Sequence, residues 1–129
     1  AFAHPELIRY LNRIKAPYNL NSLTLAAALQ RLEEQDQVQE QVAFMLEERK
    51  RLEAAFTEIG FIKTIFPSDA NFVLVRVDDS SLRYQQLLDS GIVVRNPSKN
   101  TACENTLRIS VGLAEENNAL IRALRTLDT

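Results

Sequence analysis

Apolar residues recur at helical spacing in five stretches of the chain. This periodicity, with a proline opening the first stretch and glycines closing two others, predicts five helices. They are expected over about residues 5 to 15, from Leu23 to Leu29, over about residues 36 to 59, across Leu82, Leu87 and Leu88 up to Gly91, and across Leu120, Ile121, Leu124 and Leu127. Residues 16 to 21 are predicted to form a short loop that supplies an asparagine cap to the second helix.

Short runs rich in β-branched and aromatic residues predict four strands. They cover residues 61 to 66, 72 to 77, 92 to 95 and 106 to 111. The order of three helices, two strands, a helix, two strands and a helix predicts the α+β class, with helices packed on a small sheet. Since 129 residues suit one core and show no repeat or linker, a single domain over residues 1–129 is expected.

The composition narrows the classes of function. With 46% hydrophobic and 25% charged residues, the chain matches an ordinary soluble globular protein. No apolar run approaches the roughly 20 residues of a membrane helix. The net charge of -2 provides no general attraction to nucleic acid or anionic lipid. We therefore expect no nucleic-acid or membrane partner, and any anion must be bound locally.

The scarcity of cysteine and histidine excludes several kinds of site. Cys103 is the one cysteine, which excludes an internal disulfide framework and favours a reducing cytoplasm. His4 is the one histidine, which leaves no His-based triad or multi-His metal centre. Three dispersed glycines form no phosphate-binding loop. The acidic pairs Glu33-Glu34 and Glu47-Glu48 fall on predicted helices among basic residues, where solvated charge is expected.

Two arginines are candidates for an anion site. In the predicted strand 106–111, Leu107, Ile109 and Val111 share one face, so Arg108 points away from the core with Thr106 and Ser110. A guanidinium on a rigid strand presents paired donors to a carboxylate or phosphate. Arg95, at the end of another predicted strand, completes a two-point clamp if the two strands are neighbours. The alternative for both residues is a solvated or salt-bridged arginine.

Three further polar residues are candidates with competing interpretations. Asn71 begins a predicted strand and could orient a ligand, or it could cap its own backbone in a turn. The Tyr18-Asn19 pair lies in the predicted loop. The Tyr18 hydroxyl could bind a phosphate, or the residue could be a half-buried loop tyrosine.

Several short motifs, in order, resemble the C-terminal portion of the histidinol-phosphate aminotransferase family. The resemblance runs essentially from end to end, and the thirteen-residue step from Arg95 to Arg108 is part of it. The motifs are Lys15-Ala16-Pro17-Tyr18-Asn19-Leu20-Asn21, Ser68-Asp69-Ala70-Asn71-Phe72, Gly91-Ile92-Val93-Val94-Arg95, Leu107-Arg108-Ile109-Ser110-Val111-Gly112 and Glu115-Glu116-Asn117.

The resemblance implies a function that the residues alone do not. These enzymes are fold-type I and use pyridoxal 5'-phosphate, with a large domain that carries the cofactor lysine and a small C-terminal domain that closes over the substrate. This chain resembles the small domain. Arg108 is implied to bind the α-carboxylate or phosphate of the substrate and Arg95 a second anionic group. Tyr18, Asn19 and Asn71 match positions at the mouth of the site.

The resemblance also implies what the chain lacks. The Schiff-base lysine in its Ser-x-Ser-Lys context and the residues that bind the cofactor precede the matched region. We therefore expect no catalytic, cofactor-binding or metal-binding residues here, and no activity from this chain alone. The start at Ala1-Phe2-Ala3-His4, without methionine or signal peptide, leads us to expect a piece of a longer protein. The full enzyme is implied to be a cytoplasmic homodimer acting on histidinol phosphate and glutamate or 2-oxoglutarate.

Three alternatives stay open. Threonine-phosphate decarboxylase has a similar small domain and a substrate that also pairs phosphate with an amine. The chain could instead be an independent, non-catalytic α+β module that binds an anion through its arginines. A purely structural subunit partner is favoured if both arginines are held in internal salt bridges.

Overall fold

A computed structural model describes residues 2–16 and 20–128, and within these it contains five helices and three strands. The predicted α+β class is confirmed. The helices are α1 (Pro5–Ile14), α2 (Ser22–Glu33), α3 (Gln35–Phe56), α4 (Ser80–Asp89) and α5 (Ala114–Leu127), and the strands are β1 (Ile62–Ile65), β2 (Phe72–Val77) and β3 (Thr106–Ser110).

The three strands form one antiparallel sheet in the order β1-β2-β3. Between β2 and β3, Val73 lies opposite Ile109 and Leu74 lies opposite Arg108. Since side chains alternate along a strand, the odd-numbered residues of both strands face one side and the even-numbered residues face the other. Arg108 therefore lies on the face opposite the core, as the sequence pattern predicts.

The hydrophobic core lies entirely in the compact unit that begins at Glu40. One face of the sheet packs there against apolar residues of α3, α4 and α5. The most deeply buried side chains of the core, from both the helices and the sheet, are Leu52, Phe56, Val73, Val75, Leu87, Leu107, Ile109 and Leu124. This packing makes the sheet a rigid support for side chains on its other face.

Residues up to Gln39 form the other compact unit, which contains α1 and α2. The Asn21 side chain accepts a hydrogen bond from the Thr24 N–H at 2.8 Å, which confirms the predicted asparagine cap. Neither helix has a buried residue, and apolar side chains such as Ile14 and Leu23 are exposed.

The predicted strand at residues 92–95 is wrong for most of its length. Only Arg95 pairs with β3, through an isolated bridge. The chain leaves α4 through hydrogen bonds from the Gly91 N–H to Leu88 and from the Ile92 N–H to Leu87, at 2.9 and 2.8 Å. Because these bonds end the helix, the apolar run that follows begins in a helix cap and reaches β3 only at its last residue.

Gly91 holds the turn that leads to Arg95, and its φ of +77° is unfavourable for any residue with a Cβ. The space around it is open, so an added methyl group meets no neighbour. We expect Gly91→Ala to lower the free energy of unfolding by about 1 kcal/mol through backbone strain alone. Urea denaturation measures the free energy of unfolding. Gly91→Asn should lower it by less than Gly91→Ala does, since asparagine tolerates this conformation. Equal costs for the two variants would contradict this explanation.

Asp78, just after β2, pairs with Arg83 of α4 through hydrogen bonds of 3.0 and 2.8 Å. The Arg83 guanidinium lowers the pKa of Asp78 from 3.8 to about 2. Because the folded-state pKa is lowered, the pair stabilises the protein above about pH 4, and this contribution is lost as the pH falls toward 2. Asp78→Asn should therefore reduce the free energy of unfolding at pH 7 by up to about 1 kcal/mol, a small value because the pair is partly exposed.

Urea denaturation at pH 7, 4, 3 and 2 measures the difference between Asp78→Asn and the unchanged chain. The difference should shrink as the pH falls. Asp89→Asn is the matched control, since its carboxylate accepts from Gln85 on the exposed side of the same helix. A difference between Asp78→Asn and the unchanged chain that stays constant down to pH 2 would show that the ion pair is not its cause.

Candidate functional site

Arg95 and Arg108 lie directly opposite each other on adjacent antiparallel segments. The Arg95 N–H donates to the Arg108 carbonyl at 3.1 Å, and the Arg108 N–H donates to the Arg95 carbonyl at 2.8 Å. Residues paired in this way have Cα atoms roughly 5.5 Å apart and side chains on the same face. The structure thus meets the condition that the sequence set for a two-point clamp.

The Arg108 guanidinium packs on an aromatic ring and keeps an unused donor. Its central carbon lies 5.1 Å from the centre of the Phe72 ring, on the neighbouring strand β2. Its Nε is buried and has no hydrogen-bond partner among the described residues. A buried N–H of a charged group without a partner is costly. Because this buried atom has no room for a further contact, an anion would bind the guanidinium through its terminal nitrogens.

A cleft of about 540 Å³ opens at these two arginines. It is lined by Tyr84, Val93, Val94, Arg95, Asn96, Arg108 and Ser110, and none of these residues is acidic. Within residues 2–16 and 20–128, the ion pairs involve other arginines, and neither Arg95 nor Arg108 has a carboxylate within 4.0 Å. Like charges directly opposite each other destabilise a sheet, so this arrangement favours binding of an anion.

The segment that follows Arg95 is tied to the rest of the unit. The Asn96 side chain donates to the Ser80 carbonyl at 3.2 Å and accepts from the Ser98 N–H at 3.0 Å. The Ser98 hydroxyl accepts from the Thr106 N–H at 3.2 Å. This loop covers Thr106, which is fully buried although its place beside Arg108 predicts exposure. The same contacts hold Arg95 in place.

A buried polar network fixes the turn after β3. The Asn117 side chain accepts from the Gly112 N–H at 3.0 Å and donates to the Gly112 carbonyl at 3.0 Å. It also donates to the Glu48 carboxylate at 2.7 Å, and Arg51 donates to that carboxylate through two bonds of 2.9 and 2.6 Å. Hydrogen bonds from Arg51 and then from Asn117 lower the pKa of Glu48. The expectation that Glu48 is solvated is wrong.

The other predicted site residues have different outcomes. Asn71 is exposed immediately before β2, and its main-chain carbonyl accepts from the Val111 N–H at 2.9 Å. It is not among the residues that line the cleft. Tyr18 and Asn19 lie outside the described residues.

The structure also adds residues that the sequence did not single out. Ser110 was predictable, since it is the next position after Arg108 on the same strand face. Phe72 on β2 contacts Arg108 on the neighbouring strand β3, so this contact can be recognised only from the register between the two strands. Tyr84 reaches the cleft from α4, and no local pattern signals this.

The described residues, 2–16 and 20–128, contain neither a cluster of metal ligands nor a helix that could cross a membrane. No group of three histidine, cysteine, aspartate or glutamate side chains there is arranged to hold a metal ion. Over the same ranges, no helix combines the length and the apolar character that crossing a membrane requires.

Comparison with known proteins gives consistent matches. The model of the family described as aminotransferase class I and II matches residues 1–124. Histidinol-phosphate aminotransferases from Flavobacterium johnsoniae and Flavobacterium psychrophilum are 40% identical over 127 residues and 45% identical over 126 residues, respectively. The crystal structure of the histidinol-phosphate aminotransferase from Clostridium acetobutylicum matches with a TM-score of 0.88 at 28% identity.

These matches cover nearly all of this chain and a smaller part of each known protein. The two sequence matches cover 98% of this chain, and the structural match covers 95% of it. The chain spans 36% of the length of the two Flavobacterium relatives and 38% of the Clostridium chain.

Proposed function

The chain belongs to the aminotransferase class I and II family, and from this premise we propose that it is the substrate-anion-binding part of a histidinol-phosphate aminotransferase. The observation that carries the proposal is the pair formed by Arg95 and Arg108. Two arginines lie opposite each other in a cleft without an acidic residue, and neither has a carboxylate within 4.0 Å among the described residues. The names of the relatives supply the substrate, an amine that bears a phosphate ester.

In this proposal Arg108 binds the anionic group of both substrates in turn. Amino transfer runs in two reversible half-reactions, and one of the two amines, glutamate, carries a carboxylate where the other, histidinol phosphate, carries a phosphate. The planar guanidinium presents paired donors to the oxygens of either group. Phe72 supports the flat side of the guanidinium, and the main-chain pairing with Arg95 sets its distance from the second positive charge. The substrate is thereby held in one orientation.

The residues that line the cleft do not fit a site for pyridoxal 5'-phosphate, because they include no lysine. The cofactor supplies the chemistry of amino transfer when it is bound. We propose that the cofactor and its lysine belong to a large domain in the part of the relatives that this chain does not span. The contribution of this chain is then anion binding and exclusion of water, and the full-length enzyme is a homodimer.

The proposal is tested by assaying the full-length polypeptide with histidinol phosphate and 2-oxoglutarate. We expect glutamate to form at a rate that depends on added pyridoxal 5'-phosphate. The 129-residue chain alone should form none and should show no absorbance from a bound cofactor. If the full-length polypeptide instead released carbon dioxide from threonine phosphate and formed no glutamate, the proposed substrate and reaction would be wrong.

A further inference from the structure

Ser110 occupies the position next to Arg108 on the same face of β3, since side chains alternate along a strand. It is exposed, and it lines the cleft together with both arginines. Its hydroxyl is therefore a neutral donor beside two positive charges.

The main chain of Ser110 also faces the cleft. The Arg108 N–H and carbonyl both bond to Arg95, whereas the Val111 N–H bonds to Asn71 on the opposite side. Because these directions alternate along a strand, the Ser110 N–H points to the same side as that of Arg108. Continued pairing would place Val93 opposite Ser110, but the bridge at Arg95 is isolated within the described residues. The strand edge at Ser110 is thus open where the cleft lies.

The charges of the cleft match a phosphate monoester better than a carboxylate. A phosphate monoester carries about 1.5 to 2 negative charges at neutral pH and has three terminal acceptor oxygens. A carboxylate carries one charge and has two acceptor oxygens. Two guanidinium groups balance the charge of the phosphate, and its terminal oxygens, each of which accepts more than one hydrogen bond, can take a further donor.

We propose that Ser110 is the third anion-binding group of the cleft and that its hydroxyl and N–H bind the third terminal oxygen of a phosphate monoester. Ser110 then strengthens the preference of the cleft for phosphate over carboxylate. This inference rests on the proposed function, because it takes the arginine pair as the anion site.

The test uses the 129-residue chain and two small probes, methyl phosphate and acetate. Amide chemical shifts in ¹⁵N–¹H spectra are followed as each probe is added. Methyl phosphate should shift the amide signals of both Arg108 and Ser110. Acetate should shift the amide signal of Arg108 and leave that of Ser110 nearly unchanged. Ser110→Ala should weaken the binding of methyl phosphate by about 3- to 10-fold, because one charge-assisted hydrogen bond is lost in a solvent-accessible cleft. The same variant should weaken the binding of acetate by less than about 2-fold.

Two further variants serve as controls. Ser110→Thr keeps a hydroxyl and should retain the preference for methyl phosphate. Ser90→Ala removes a hydroxyl that bonds to the Gln86 carbonyl at the end of α4, and it should change neither affinity.

The outcomes separate this inference from the proposed function. If Arg108→Ala abolishes binding of both probes while Ser110→Ala weakens them equally or not at all, the arginine site stands and the role of Ser110 is wrong. If neither probe shifts Arg95 or Arg108 in the unchanged chain, the anion site and the inference built on it both fail.

Discussion

Replacing Arg108 with lysine in the full-length polypeptide is expected to lower kcat/KM for histidinol phosphate by about 100-fold. Lysine keeps the positive charge but cannot present two parallel N–H donors to one anion. It also loses the flat stacking surface over Phe72. A lost charge-assisted bidentate contact costs roughly 2 to 3 kcal/mol, and each 1.36 kcal/mol is a factor of ten in rate. Because Arg108 is proposed to bind both substrates, kcat/KM for glutamate should fall as well.

Arg76→Lys is the matched control for this measurement. Arg76 lies on β2 on the same face of the sheet, but it donates to main-chain carbonyls of Glu104 and Ala102 and does not line the cleft. It should change kcat/KM by less than about 3-fold, since its contacts are largely exposed. An Arg108→Lys variant with the kcat/KM of the unchanged enzyme would refute the role of Arg108.

Asn117→Ala is expected to lower the free energy of unfolding by about 3 kcal/mol. The side chain satisfies both the N–H and the carbonyl of Gly112, and it donates to the buried Glu48 carboxylate. Truncation removes the Asn117 amide from the Gly112 N–H, the Gly112 carbonyl and the Glu48 carboxylate. A buried polar group left without a partner costs more than the hydrogen bond itself contributed. Chemical denaturation of the 129-residue chain measures the effect.

The neighbouring residue provides a matched control for this second substitution. Asn118 is exposed and accepts one hydrogen bond, from Arg51 at 2.8 Å. Asn118→Ala should therefore cost less than about 1 kcal/mol. If the two alanine variants were equally stable, the buried network would not be what holds the turn after β3.

Much of the fold could be predicted because local patterns agree with the tertiary structure. The run of β-branched and aromatic residues in 72–77 predicts β2 with its observed bounds, and the alternation in 106–111 predicts which face Arg108 takes. The family resemblance, read from short ordered motifs, is confirmed by the match to residues 1–124. In these cases the local composition, a periodicity of two and a fixed order of motifs carry the information.

The failures come from contacts between residues distant in sequence. The run Ile92-Val93-Val94 has the composition of a strand, yet the Ile92 N–H donates to the Leu87 carbonyl at the end of α4. Thr106 shares a face with Arg108, but the loop through Ser98 covers it. Glu48 is buried with Leu52 and Phe56 on one face of α3, and its hydrogen-bond partner Asn117 lies 69 residues away in the sequence. A single sequence contains no local signal for such contacts.

The contribution of the phosphate group to catalysis tests the proposed arginine site. The quantity to measure is the ratio of kcat/KM for histidinol phosphate to kcat/KM for histidinol, first in the full-length polypeptide and then in its Arg95→Ala/Arg108→Ala variant. We expect a ratio above about 100 in the unchanged enzyme and below about 10 in the variant, since both guanidinium contacts are then lost. The same ratio in both proteins would contradict the assignment of the anion site to these two arginines.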